Sequence, residues 1–241
     1  MCQKCYLDSL HSVKRFKPRE KIFRKSEGSL LCYFVESVYN IGGRRDKMNY
    51  SDYKKARNLA WEVLIQEEVT ALPVMIGEIC NRMGIPIRLY SRSEAQPGDG
   101  FTTRVQGVLC IFIDKDCSPE RQRFTAAHEL GHILLGHVGQ CDLVNREPSP
   151  TDNPIEQAAN VFASRLLAPA CVLADLQITK PEEIAALCQI SYTSAKFRAA
   201  RMDKLYSRNR FDQSLLEQRV YQQFKPFIRR TKMKRFWKRT E

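Results

Sequence analysis

The segment Arg123-Phe-Thr-Ala-Ala-His128-Glu129-Leu-Gly-His132-Ile-Leu-Leu-Gly-His137 constrains this chain more than any other. Ala126, Leu130 and Ile133 form one apolar stripe at helical spacing, and Phe124, Ala127, Gly131 and Leu135 form a second. A helix that is apolar on more than one side is buried and carries its polar residues in with it. Buried His and Glu side chains need partners, so the surrounding fold must supply them. Ser118-Pro119-Glu120 opens the helix, with Ser at the N-cap, Pro at the first helical position and an acid in the first turn. The pattern predicts that it runs to about Gly136, and Gly131 predicts a close approach by a neighbouring element.

Around this helix the pattern is mixed. Tyr53, Ala56, Ala60, Val63 and Leu64 repeat with helical period after a cap at Ser51 or Asp52. Pro73 is expected to break that helix and open a second, which ends at Gly84. Ile85 to Tyr90 reads as a short strand, Ser91 to Gly100 as a polar loop, and Val105 to Ile113 as a second, buried strand. Residues 137–153 read as a loop, after which Asn153-Pro154 caps a helix that extends to Leu167, and further helices follow. The expected class is α+β: a short β-sheet with the His-bearing helix, followed by a helical region.

Composition narrows the class further. The 241 residues are 43% apolar, enough to bury a core, and carry a net charge of +12. That charge is uneven: residues 1–47 hold 11 basic and 5 acidic residues (+6), residues 204–241 hold 12 and 3 (+9), and residues 48–203 hold 16 and 19 (−3). The basic ends, with Phe224, Phe227, Phe236 and Trp237 in the second, suit DNA or another polyanion, or else form solvated tails. No apolar run reaches the roughly 18 residues of a membrane span, and the start has no apolar signal segment, so the expected compartment is the cytoplasm. Nine scattered cysteines agree with a reducing environment. Cys2 and Cys5 form a lone CxxC, too little for a finger. Gly42-Gly-Arg-Arg-Asp-Lys47 before Met48 is what a purine-rich ribosome-binding sequence would encode, so Met48 is the expected natural start and 1–47 an upstream extension.

His128-Glu129-x-x-His132 places two imidazoles one turn apart on one helix face, within reach of a single tetrahedral metal. Glu129 lies beside them, where a carboxylate can take a proton from a metal-bound water. With four His in the chain, this spacing arises by chance at roughly 0.4%, so a satisfied core pair is a poor explanation. A catalytic metal normally takes a third protein ligand. The candidates are His137, Cys141, Asp142, Asp152 and Glu156. His137 lies about 140° round the helix from His132 and points away unless the helix ends first. Glu156, in the first turn of the next helix, could face the pair, with Asn160 one turn on to orient a ligand.

Arg123-Phe-Thr-Ala-Ala-His-Glu-Leu-Gly-His132, followed by Glu156-x-x-Ala159-Asn160-x-Phe162-Ala163-x-x-Leu-Leu-Ala-Pro169, resembles the ImmA/IrrE family of metallo-endopeptidases over roughly residues 50–205. Gln157-Ala158 and Ala168 depart from the family pattern at no ligand position. The resemblance implies a small zincin-like domain in which His128, His132 and Glu156 bind Zn2+ and Glu129 is the general base. It also implies a protein substrate, a transcriptional repressor of a mobile element or stress response.

The domain reading that follows is a basic extension over 1–47, a metallopeptidase domain over 48–178, a helix-turn-helix-like region over 179–206 and a basic aromatic tail over 207–241. A substrate strand is expected at the edge made by Val105 to Ile113. Tyr192 and His137 are the candidate oxyanion donors. The competing reading is a DNA-binding regulator with a structural or vestigial metal site, in which Lys196, Arg198 and Arg201 touch phosphates.

Overall fold

The computed structural model describes residues 48–91, 98–138, 153–208 and 214–237, which belong to one compact unit. The extension 1–47 with Cys2 and Cys5, and the ligand candidates Cys141, Asp142 and Asp152, lie outside the described residues. Asn49 caps α1 (Tyr50–Gln66), its Oδ1 accepting from the Asp52 N–H at 2.9 Å. The cap is therefore earlier than the expected Ser51 or Asp52. Pro73 does not end this helix. Glu68 adopts φ 50°, and the N–H groups of Glu68 and Val69 return to the carbonyls of Ile65 and Leu64, closing α1 several residues sooner. The second helix, α2 (Ile76–Arg82), then leads into the sheet.

Strand β1 (Ile87–Tyr90) pairs parallel with β3 (Val108–Asp114), and β2 (Gly100–Val105) pairs antiparallel with β3 on its other side. The strand expected over Val105 to Ile113 is thus two strands joined at Gln106-Gly107. Both turn residues have positive φ, 51° and 83°, the two-residue hairpin geometry that matches strand twist. Gln106 and Gly107 interrupt the run, but β3, central in the order β1-β3-β2 and buried on both faces, shows no alternation that would mark it as a separate strand. Ile111 and Ile113 face the main core, whereas Cys110 and Phe112 join Tyr90 in a second cluster, where Phe101 stacks on Phe112 at 4.9 Å.

Against Ile111 and Ile113 lies α3 (Pro119–Leu134), capped by Ser118, whose Oγ accepts from the Arg121 N–H. The next described element, α4 (Pro154–Leu167), starts at Asn153, whose Oδ1 accepts from the Ile155 N–H at 2.9 Å. These two helices meet at Gly131. A Cβ there would come 2.9 Å from Phe162 Cδ1 and 3.3 Å from Phe162 Cβ, so only glycine admits the α4 phenyl ring this close.

Four more helices complete the described fold: α5 (Ala170–Asp175), α6 (Pro181–Cys188), α7 (Tyr192–Ser207) and α8 (Leu215–Trp237). Most of the basic aromatic stretch read as a tail is α8. Its Val220, Phe224 and Ile228 are buried in the main core, and Gln223 Nε2 donates to the carbonyls of Leu64 and Val69 at 2.7 Å each. Helical periodicity separates this apolar stripe from the cations. Among the described residues no helix is long and apolar enough to cross a membrane. Gly131→Val is expected to lower stability by roughly 1–3 kcal/mol through overpacking against Phe162, read as a lower urea midpoint with an unchanged m-value.

Candidate metal centre

The second half of α3 delivers His128, Glu129 and His132 into the interior, at 8%, 0% and 2% exposure. One helical turn separates the two imidazoles, and their Nε2 atoms lie 2.9 Å apart. From the first turn of α4, Glu156 sets Oε2 3.1 Å from His128 Nε2 and Oε1 3.3 Å from His132 Nε2. Asn160, one turn further along α4, holds Oδ1 3.0 Å from His128 Nδ1. Because Asn160 Oδ1 only accepts, His128 Nδ1 carries the proton and its Nε2 lone pair faces His132 and Glu156.

Lone pairs on two Nε2 atoms and a carboxylate, gathered this closely in a buried site, repel unless a proton or a cation lies among them. A divalent metal accommodates all three and retains a further position for water. The chemistry of the donor set therefore fits a metal. Burial pushes the Glu156 carboxyl up, but hydrogen bonds and charge from His128 and His132 overcome this and hold it below the usual carboxylate range. Glu156 is thus an anion, as a ligand must be.

His137 reaches the site by the route its position in sequence left open: the helix ends first. Gly136 takes φ 77°, its N–H bonds to the Ile133 carbonyl at 3.2 Å, and the His137 N–H bonds to the His132 carbonyl at 2.9 Å. This closure sets the second residue past the cap over the third residue before it. Apolar side chains usually meet there. Here the pair is His137 and His132, with Nδ1 atoms 3.1 Å apart. Burial, and then His132, push the His137 imidazole down to about 4, so it is neutral at pH 7 and able to accept from His132 Nδ1–H. With its Nδ1 engaged by His132, the neutral His137 ring carries its proton on Nε2.

Tyr192 is not brought to the cluster. It is 52% exposed at the start of α7, and its hydroxyl bonds Glu182 Oε1 at 3.2 Å. A residue that sequence reasoning missed is Thr102, on β2, whose Oγ1 donates to Glu129 Oε2 at 2.8 Å. Nothing in the sequence marked it, because the contact joins residues 27 apart across the sheet and helix.

Residues 80–200 match the peptidase M78 family, described as the IrrE N-terminal-like domain. The chain belongs to this family. Its described relatives include the radiation response metalloprotease IrrE of Deinococcus deserti, 37% identical over 102 residues, which covers 37% of this chain and 35% of that protein. The protein of the same name from Deinococcus radiodurans is 39% identical over 71 residues, covering 27% of this chain and 21% of that one. The chain thus spans about a third or less of the length of these relatives. A solved Mycobacterium tuberculosis transcriptional regulator aligns over 63% of this chain and 47% of its own, at 16% identity and a TM-score of 0.42. The relatives are metalloproteases by name, which agrees with the metal-binding chemistry of the donor set.

The cap itself is testable without metal. No neighbour lies within 4 Å of a Cβ built on Gly136, so Gly136→Ala is expected to cost about 1–2 kcal/mol through its left-handed backbone alone, measured by thermal unfolding of the chelated protein.

Proposed function

We propose that this protein is a zinc-dependent endopeptidase in which His128, His132 and Glu156 hold the metal and Glu129 is the general base. The observation that carries the reading is the convergence of two buried imidazoles and the half-buried Glu156 carboxylate beside the fully buried Glu129. Zinc bound there would supply a polarised carbonyl and a water acidic enough to ionise near neutral pH. Glu129 would take a proton from the attacking water and later return it to the leaving amine. Thr102 holds the Glu129 carboxylate by its Oε2, and Asn160 and His137 hold the two imidazoles by their Nδ1 atoms.

The substrate enters as an extended strand. Among the described residues β1 and β2 are the edges, since β3 is paired on both sides, and β2 is the edge that carries Thr102 beside Glu129. Thr102 lies on β2, so a strand added there runs beside Glu129. The arrangement is zincin-like in this reading. The substrate class implied by the family resemblance is a regulatory protein, a helix-turn-helix repressor of a mobile element or stress response, cleaved in the cytoplasm. Residues 48–178 form the peptidase domain. Residues 179–206, with α6 and α7, form a helix-turn-helix-like region, and the basic ends are its candidate contacts with DNA or another polyanion.

The competing regulator reading is less favoured. A structural site has no use for a buried carboxylate set by a neighbouring strand, and the related proteins are proteases by name.

Glu129→Gln is expected to keep its bound zinc and lose about 10²–10⁴-fold in cleavage of a repressor encoded beside the gene, followed by mass spectrometry. Full cleavage by this variant would remove Glu129 from the mechanism. His137→Leu is expected to weaken zinc about 10–100-fold in a competition titration, and His137→Asn, which restores an acceptor near the Nδ1 position, to recover much of that loss.

A further inference from the structure

A second buried polar cluster lies across α1, α4 and α7, and the metal chemistry does not use it. Arg198 on α7 is 1% exposed, and its Nε, Nη1 and Nη2 have no hydrogen-bond partner. Arg165 on α4 is also buried, and Arg201 on α7 is half-buried. Both donate through Nη2 to the hydroxyl of Tyr53 on α1, at 3.1 and 3.0 Å, and both guanidinium groups lie over the Tyr53 ring. Arg165 Nη1 also reaches Ser164 Oγ at 2.9 Å. Among the described residues no carboxylate forms an ion pair with Arg165, Arg198 or Arg201.

Buried charges are paired or neutralised, and three guanidinium groups sharing one site repel one another. Burial, and then the Arg165 charge, push the Arg198 guanidinium down to about 9. The nearby Cys188 thiol does not provide a counter-charge: burial pushes it up to about 12, so it is neutral. Burial raises the Tyr53 phenol, but Arg165, Arg201 and Arg198 outweigh this and hold it below its usual value.

We propose that Arg165, Arg198, Arg201 and Tyr53 form a binding site for a small phosphate-bearing ligand. A phosphate dianion matches the excess of positive charge, and its tetrahedral oxygens can accept from guanidinium forks that arrive from two helices. Tyr53 and Arg201 are half-buried, and Arg165 and Arg198 lie deeper. Burial of Arg165 and Arg198 suits a small anion rather than a duplex backbone, so the ligand is a free phosphate ion or the terminal phosphate of a small ester. Occupancy would tie α1 and α7 to α4, the helix that also carries Glu156 and Asn160.

The test uses the full-length, zinc-loaded protein and reads binding rather than cleavage, so its failure is separable from failure of the peptidase reading. Thermal unfolding and calorimetric titration are run with inorganic phosphate, with adenosine monophosphate, and with chloride and acetate at matched ionic strength. Phosphate is expected to raise Tm beyond chloride and acetate, and Arg198→Met and Arg201→Gln each to weaken phosphate binding by about tenfold or more. Tighter binding of adenosine monophosphate identifies a phosphate ester as ligand, and binding of inorganic phosphate alone identifies the free ion. Arg201→Gln carries the test if Arg198→Met does not fold. A wild-type response no greater than that to chloride, or one that survives both substitutions unchanged, overturns the proposal.

Discussion

The contact between α3 and α4 over Gly131 is the constraint on which the rest of the molecule depends. Glu156 and Asn160 are useful only if α4 lies close enough to α3 for a carboxylate and an amide to reach imidazoles one turn apart. A side chain at 131 would collide with Phe162 and hold the helices apart. Once the approach is made, His128 lies between partners on both ring nitrogens, Asn160 on one and Glu156 with His132 on the other. Packing and coordination chemistry are therefore one requirement expressed at neighbouring positions of two helices.

The other face of α3 is set by the sheet. Ile111 and Ile113 pack on its apolar residues, and the hairpin brings β2 alongside so that Thr102 reaches Glu129. Gly100 makes a comparable close fit on the same strand: a Cβ there would meet Thr125 on α3 and the Phe112 carbonyl on β3. The carboxylate of Glu129 and the donors beneath it are thus positioned by separate neighbours, β2 on one side and α4 on the other. A carboxylate held in place before substrate arrives loses little freedom in the reaction.

Two buried polar clusters share this interior and solve the same problem differently. Around His128 every donor identified converges on one point, and a cation completes the set. Around Arg198 the charges are all positive, and an anion would complete it. Both clusters draw on α4, Glu156 near its start and Arg165 near its end. Buried Ala159, Phe162 and Ala163 lie between these two residues along the helix.

Much of this was legible in the amino-acid order alone. Helix starts at Ser118 and Asn153 follow from local hydrogen bonding, and the spacing of His128, Glu129 and His132 follows from the geometry of one helix. Gly131 was readable as the point of a close approach, and the family resemblance, rather than local geometry, singled out Glu156 and Asn160 among several candidates. What needed the tertiary structure was the contacts themselves between residues distant in sequence. The hairpin at Gln106-Gly107 was not legible as such, because a strand buried on both faces has no alternation to display. Thr102 could not be tied to Glu129, nor Arg165, Arg198 and Arg201 to Tyr53, because those meetings depend on how whole elements cross. His137 shows the boundary most clearly: helical geometry by itself turned it away from His132, and only the closure at Gly136 turned it back. Sequence determined which side chains could do chemistry, and the packing of α4, β2 and α7 around α3 decided which of them meet.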